Sequence, residues 1–293
     1  HVLSRRQRQM CIRDRFCYDP PRLCRIKMKS FAITLSALFL VFACSSAENE
    51  MDVSFSNLGS DEYPQMFYME YVPCQEGVYY TAENFRNEVL PEWQDLLVEV
   101  NSPLVSSYGI QHVQKLSSDN EDGFWQLIWN TKAEAEAAWE TWNSNENVAA
   151  WTEDTAEILS CDGENKFSFD AYIARANDTF GEFETSSFTS EYFQCLYKEG
   201  KEGADLREVI GQLEEFLTNA NSLPGPFSYV ILGPDYETDE VDFFWGNFYQ
   251  SEEARRAFDS EWQKLDPDVE DNWNLVSDCQ EPRYYNSAEV PTS

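Results

Sequence analysis

An α+β fold made of two βαββαβ repeats is what this sequence predicts, on three observations. The motif "EYVPC" at Glu70–Cys74 returns as "EYFQC" at Glu191–Cys195, 121 positions later. A longer stretch, "GFWQLIWNTKAEAEAAWETW" from Gly123, lies on "DFFWGNFYQSEEARRAFDSEW" from Asp242 at an offset of 119. Within each half the hydrophobic period also changes in one fixed order, between alternation and helical spacing.

Residues 66–74 and 189–197 read as aromatic first strands. Phe85, Val89, Trp93, Leu96, Leu97 and Val100 then recur at helical spacing, and Pro91 is expected to kink or restart that helix. Its counterpart carries one apolar stripe, Leu206, Val209, Ile210, Leu213, Phe216, Leu217 and Ala220, with Asp205 and Glu208 as a capping-box-like start. Two strands follow in each half, "SYGIQHVQKL" with "GFWQLIWN" and "FSYVILG" with "VDFFWGNFY", joined by turn-forming "SSDNEDG" and "PDYETDE". Thr131 with Glu134, and Ser251, cap a second helix. Ala135, Ala138, Trp139 and Trp142 share one of its sides, as do Ala254, Ala257, Phe258 and Trp262. A last strand around "NKFSFDAY" and "PRYYNS" completes the ferredoxin-like order. The repeats span 63–173 and 188–293, with a linker at 174–187.

In this plan the last strand runs antiparallel beside the first. That places Cys74 near Cys161 and Cys195 near Cys279. Four cysteines allow three pairings, and the repeat selects Cys74–Cys161 and Cys195–Cys279. Each bridge would stabilise its unit by about 4 kcal/mol in the chain-entropy model. A redox-active pair is the alternative, but the chain holds no C-x-x-C.

The N-terminal region is of another kind. Residues 1–27 carry eight Lys/Arg against two Asp, and "RRQRQMCIRDR" resembles translated sequencing-adapter read-through, so they read as a non-native leader. A basic arm for nucleic acid is the alternative reading. Residues 28–47 read as a signal peptide: Lys29, then thirteen apolar-to-small positions from Phe31 to Ala43, too few for a permanent span. "VFAC" resembles a bacterial lipobox, which would make Cys44 the lipidated first residue. Cleavage near Ala47 is the alternative. Residues 48–62 are a linker. The expected location is the periplasm, as an outer-membrane lipoprotein of a Gram-negative bacterium, with a lipid anchor as the sole membrane contact.

Removing residues 1–47 leaves 51 acids against 12 Lys/Arg, a net charge of −39. Such a surface repels nucleic acid and anionic head groups. All nine Trp lie in this part, which favours a folded core over acidic disorder.

Strand three is apolar on both faces, Phe124 and Ile128 one way, Trp125, Leu127 and Trp129 the other. A sheet with helices on one face then needs cover on the second. Two such sheets face to face resemble the dimeric α+β-barrel superfamily, which includes antibiotic-biosynthesis-type monooxygenases, haem-degrading monooxygenases and chlorite-dismutase-like proteins. The resemblance implies a dimer fused into one chain, a pseudo-dimeric α+β barrel that is itself monomeric. It implies a pocket between each sheet and its helices or in the barrel interior, with cofactor-independent oxygenation or haem chemistry as activities. The Asn, Trp and His of haem-degrading members do not map onto this chain residue by residue.

His112, the sole histidine after residue 1, is the candidate general base or axial ligand. Ile231 is expected at its place in the second repeat, and a core or surface histidine is the competing reading. Glu70 and Glu191, four residues before the cysteines, are candidate bases if burial raises their pKa. Tyr68, Trp129, Phe169 and Tyr172, with Phe248 and Tyr284 opposite, are candidates to line a pocket for a small apolar or aromatic molecule. The run "SSDNEDGF" partly echoes a calcium loop, but Trp129 stands where a bidentate Glu is required. G-x-S-x-G, Walker and G-x-G-x-x-G motifs are absent, and no metal or cofactor is assigned. The expected function is ligand binding. An oxygenase or haem-handling enzyme and a ligand-free interaction module are the alternatives.

Overall fold

The computed structural model describes residues 66–173, 183–219, 225–262 and 267–293. Every described residue belongs to one compact unit. The leader, the signal peptide with Cys44, the first linker and most of the second linker lie outside the described residues.

Ten strands and seven helices follow in order: β1 (Met66–Glu76), α1 (Ala82–Asn84), a π-helical stretch (Phe85–Val89), α2 (Leu90–Glu99), β2 (Ser106–His112), β3 (Gly123–Trp129), α3 (Lys132–Asn143), α4 (Glu146–Thr155), β4 (Leu159–Cys161), β5 (Phe167–Ile173), β6 (Phe188–Tyr197), α5 (Gly203–Asn219), β7 (Phe227–Pro234), β8 (Phe243–Tyr249), α6 (Glu252–Trp262), α7 (Pro267–Val276), β9 (Ser277–Cys279) and β10 (Arg283–Glu289). Pro91 sits at the start of α2, just after the π-helical stretch, so the helix restarts where the missing N–H would break its ladder. Thr131 caps α3 by accepting from the Glu134 N–H. Asp205 does not cap α5 as expected. It lies inside the first turn, and its carboxylate reaches back to the Glu202 N–H, the other half of a capping box.

The strands form one antiparallel sheet in the order β10-β2-β3-β1-β5-β7-β8-β6, closed by β6 pairing with β10. Each half runs in the same order, β5-β1-β3-β2 and β10-β6-β8-β7. The halves meet at two seams, β5 on β7 and β2 on β10, so the barrel has no open edge. Short β4 and β9 add to the ends of β1 and β6 and bring Cys74 opposite Cys161 and Cys195 opposite Cys279. Both pairs are disulfides.

Closure sorts the side chains into three cores. Inside the barrel are Met69, Tyr71, Ile110, Ile128, Phe169, Tyr192, Leu232 and Tyr285. Outside it, one core packs under α2 to α4 with Trp93, Trp125 and Trp129, and the other under α5 to α7 with Leu206, Ile210, Trp245 and Phe258. All nine Trp belong to the outer cores.

Two expectations are corrected. Cys74 pairs with Gly123 and Cys195 with Phe243, so the offset in β3 and β8 is 120 rather than 119. Trp125 therefore answers Trp245, and Trp129 answers Tyr249. One residue flips a strand face, so Phe248 points into the barrel while Trp129 points to the helices. Likewise Ile110 pairs with Phe124 and Leu232 with Phe244, which puts Pro234, not Ile231, at the place of His112. The helices α4 and α7 were not expected. The first buries Val148 and Thr155 and half-buries Trp151; the second buries Val276 and half-buries Trp273. The Asn145 cap, accepting from the Asn147 and Val148 N–H groups, was the available signal for α4.

Gly246 lies opposite Tyr192 inside the barrel, and a Cβ there would stand 2.6 Å from the Tyr192 ring and 2.9 Å from Val230. Gly246→Ala is expected to destabilise the protein by about 1–3 kcal/mol through overpacking. A denaturation midpoint equal to that of the parent would contradict this packing.

Candidate functional site

The repeated glutamates occupy one place in each half. Glu70 on β1 and Glu191 on β6 point from the sheet towards the helices and are 2% and 3% exposed. Each sits four residues before its bridged cysteine, so strand alternation puts it on the covered face. Burial raises both carboxyls above their ordinary value, and hydrogen bonds partly offset this.

Their surroundings have diverged. Glu70 Oε2 accepts from Trp129 Nε1 at 2.9 Å and from Trp139 Nε1 at 2.6 Å, and Lys166 Nζ stands 3.9 Å from Oε1. Lys166 also lies over the Trp139 ring. Glu191 Oε1 accepts from Asn247 Nδ2 at 2.9 Å and the Tyr249 hydroxyl at 2.8 Å. Its Oε2 faces Arg255 Nη1 at 3.8 Å, beyond hydrogen-bond reach, while the same Nη1 donates to Asp259 at 2.8 Å. The corrected offset explains the change: Trp129 has become Tyr249, Leu127 has become Asn247, and Trp139 has become Asp259.

A cavity lies beside each site. The first, of about 570 Å³, is walled by Trp93, Trp125, Trp129, Trp139, Trp142 and Trp151, and Glu70 stays behind two of those indoles. The second, of about 390 Å³, has Glu191 itself in its wall, with Trp245, Phe258, Trp262, Trp273 and Asp259. Both are of ligand size.

His112 is on the other face, at one end of the barrel interior, with its side chain 2% exposed. Arg283 Nη2 donates to its Nδ1 at 3.0 Å, so the ring proton belongs on Nε2, which faces Glu121 Oε1 at 3.3 Å. Arg283 is forked onto Asp119, at 2.7 and 3.2 Å. Both ring nitrogens are thus engaged, and the sheet separates them from Glu70 and Glu191.

The six candidate lining aromatics do not share one pocket. Tyr68 and Trp129 lie under the first half's helices, Tyr172 under the second half's, and Phe169 and Phe248 inside the barrel. The Tyr68 hydroxyl donates to Asp235 across the seam. Tyr284 is 37% exposed beneath Arg255. Among the described residues no group of three or more His, Cys, Asp or Glu side chains could hold a metal ion. In the partial calcium echo, Asp122 binds Lys115 and the Glu76 N–H.

No protein-family model and no curated protein sequence matches the chain. Among solved structures, the chain is similar to chlorite dismutase from Candidatus Nitrospira defluvii in complex with imidazole, at 9% identity and a TM-score of 0.45, over 81% of this chain and 95% of that one. It is also similar to a haem-binding protein from Thermus thermophilus, at 10% identity and a TM-score of 0.43, over 77% of this chain and 92% of that one. Similarity at this level carries no argument about what this chain binds.

The raised Glu191 carboxyl predicts a pH dependence. Between the unfolded value, about 4.3, and the raised folded value, the native state holds a proton that the unfolded chain has released. Its contribution is therefore present at low pH and is lost as pH rises through the folded pKa. Glu191→Gln removes this loss. Its stability relative to the parent should rise with pH above about 4.3 and level off below it, read from denaturation midpoints across pH. A pH-independent difference would contradict a buried carboxyl.

Proposed function

We propose that this chain is an exported binding protein for a small aromatic molecule carrying an ammonium or N–H donor, held in the second half's sheet–helix cavity. The observation that supports it is Glu191 Oε2, in the wall of an aromatic cavity, accepting no hydrogen bond from the described residues. Aromatic faces attract cations and a nearly dry carboxylate strengthens that attraction. Asp259, Glu270 and Glu281 add negative charge to the same wall, and among the described residues Arg255 is the cation set against Glu191 and Asp259. In the first half the two indole N–H groups occupy the carboxylate, and Glu70 does not line the cavity.

The haem-handling reading is less well supported. The first cavity's wall holds no His, Tyr or Met, and its one cysteine is bridged. In the second, Tyr249 is kept protonated by burial and by Glu191. The residues lining these two cavities do not fit a haem, and His112, which lines neither, has both ring nitrogens engaged.

We read the two halves as ferredoxin-like repeats of a fused dimer that works as a monomer. Export rests on Lys29, the apolar run from Phe31 and the lipobox-like Cys44. Among the described residues no helix is long and apolar enough to cross a membrane. Labelling with a fatty acid in a Gram-negative host should mark the parent and not Cys44→Ala; equal labelling would remove the anchor.

All nine Trp line the helix-side cores, so tryptophan emission reports ligands there. Phenethylamine should shift it saturably, with affinity about tenfold weaker in Glu191→Gln and unchanged in Glu70→Gln. Equal affinity in parent and Glu191→Gln, or no saturable shift, would overturn the reading.

A further inference from the structure

A third cavity, of about 350 Å³, opens at the end of the barrel interior where the β2–β3 and β7–β8 turns meet. It is distinct from the helix-side cavities, because strand alternation sends its lining to the opposite face. Tyr71 and Tyr192, repeat equivalents whose hydroxyls meet at 3.2 Å, are part of its lining together with Phe169 and Phe244.

The two seams give this mouth two unlike walls. On one seam His112 pairs with Tyr285, and on the other Pro234 pairs with Phe169. Arg283 stands opposite Tyr192 where Phe167 stands opposite Tyr71. One wall is therefore His112, Arg283 and Tyr285, and its repeat equivalent is Pro234, Phe167 and Phe169. The apolar wall is completed by Tyr236, whose ring lies 6.2 Å from Phe167 and 5.8 Å from Phe169. Phe167 and Tyr236 are 43% and 38% exposed, so aromatic surface is presented at the opening.

The polar wall is built as well as lined. Asp119 holds two of the guanidinium N–H groups and His112 a third. A guanidinium has five, and the remaining two take no partner among the described residues. Arg283 is about one-third exposed and lines the cavity. Glu121 and Glu240 also line the cavity. Their charge repels anions and leaves an uncharged oxygen as the acceptor that suits Arg283.

We propose that the barrel mouth is a second binding site, for an uncharged aromatic molecule of one or two rings bearing an oxygen acceptor, a phenol or an aryl ketone. The ring lies against Phe167, Phe169 and Tyr236, and the oxygen accepts from Arg283. The size of the cavity, near the lower end for ligand pockets, sets the limit of two rings. This site is separate from the Glu191 cavity and stands or falls without it.

The test is fluorine NMR with para-fluoroacetophenone and para-fluorobenzoate as probes on the full chain. The ketone is expected to bind saturably and the benzoate about tenfold more weakly. Arg283→Gln is expected to weaken ketone binding about tenfold, and Tyr236→Ala, at an exposed position that does not threaten folding, to weaken it as well. Glu191→Gln leaves it unchanged, which separates this site from the amine cavity. Absence of saturable ketone binding, equal binding of the benzoate, or unchanged binding in Tyr236→Ala would each overturn the proposal.

Discussion

Two backbone ladders, β5 on β7 and β2 on β10, are the interactions on which the rest of this structure depends. A four-stranded sheet with helices on one face leaves its other face and two edges open to water or to other chains. Here the seams pair all four edges, and the second faces of both sheets close on Tyr71, Phe169, Tyr192 and Tyr285. Contacts beyond the two ladders reinforce the seams. Asp235 of the second half accepts from Tyr68 and pairs with Lys132 of the first, and Val290 beyond β10 donates its N–H to the Ser107 carbonyl on β2. The two disulfides act inside each half, so closure rests on the backbone ladders, on packing and on ion pairs such as Lys132–Asp235 and Arg283–Asp119.

Closure also explains why equivalent positions of the two halves differ in two ways. Positions facing the helices see only their own half. One glutamate could therefore be sealed by Trp129 and Trp139 while its equivalent kept an oxygen towards a cavity. Positions inside the barrel meet across the pseudo-twofold axis, where Tyr71 and Tyr192 touch. There the asymmetry falls between walls of one cavity: His112 with Arg283 on one seam, Pro234 with Phe167 on the other. An acidic chain keeps its few cations for such places, Lys166 by Glu70, Arg255 by Glu191 and Arg283 by Asp119.

Most of the architecture was legible from pattern. The stripe from Leu206 to Leu217 is buried as spaced, Thr131 caps its helix, and the repeated cysteines are bridged as the strand order requires. The site was less legible. An offset of 119 aligns Trp139 with Phe258 and looks better by residue type than 120, yet it turns β8 over and mixes the two faces. Only hydrogen-bonded register, Cys74 with Gly123 and Cys195 with Phe243, resolves it. Composition could not show that Glu70 and Glu191 differ, since the difference lies at Leu127, Trp129 and Trp139 and their counterparts. The network around His112 was hidden for another reason: Arg283 comes 171 residues later and meets it only because the seam closes.

The central claim, that the two halves form one closed barrel, is tested most directly by hydrogen exchange of backbone amides in β2, β5, β7 and β10. A closed barrel protects seam amides as strongly as those between β1 and β3 or β6 and β8, because breaking a seam exposes the aromatic interior. Fast exchange at the seams with slow exchange inside each half would show two independent sheets and contradict closure.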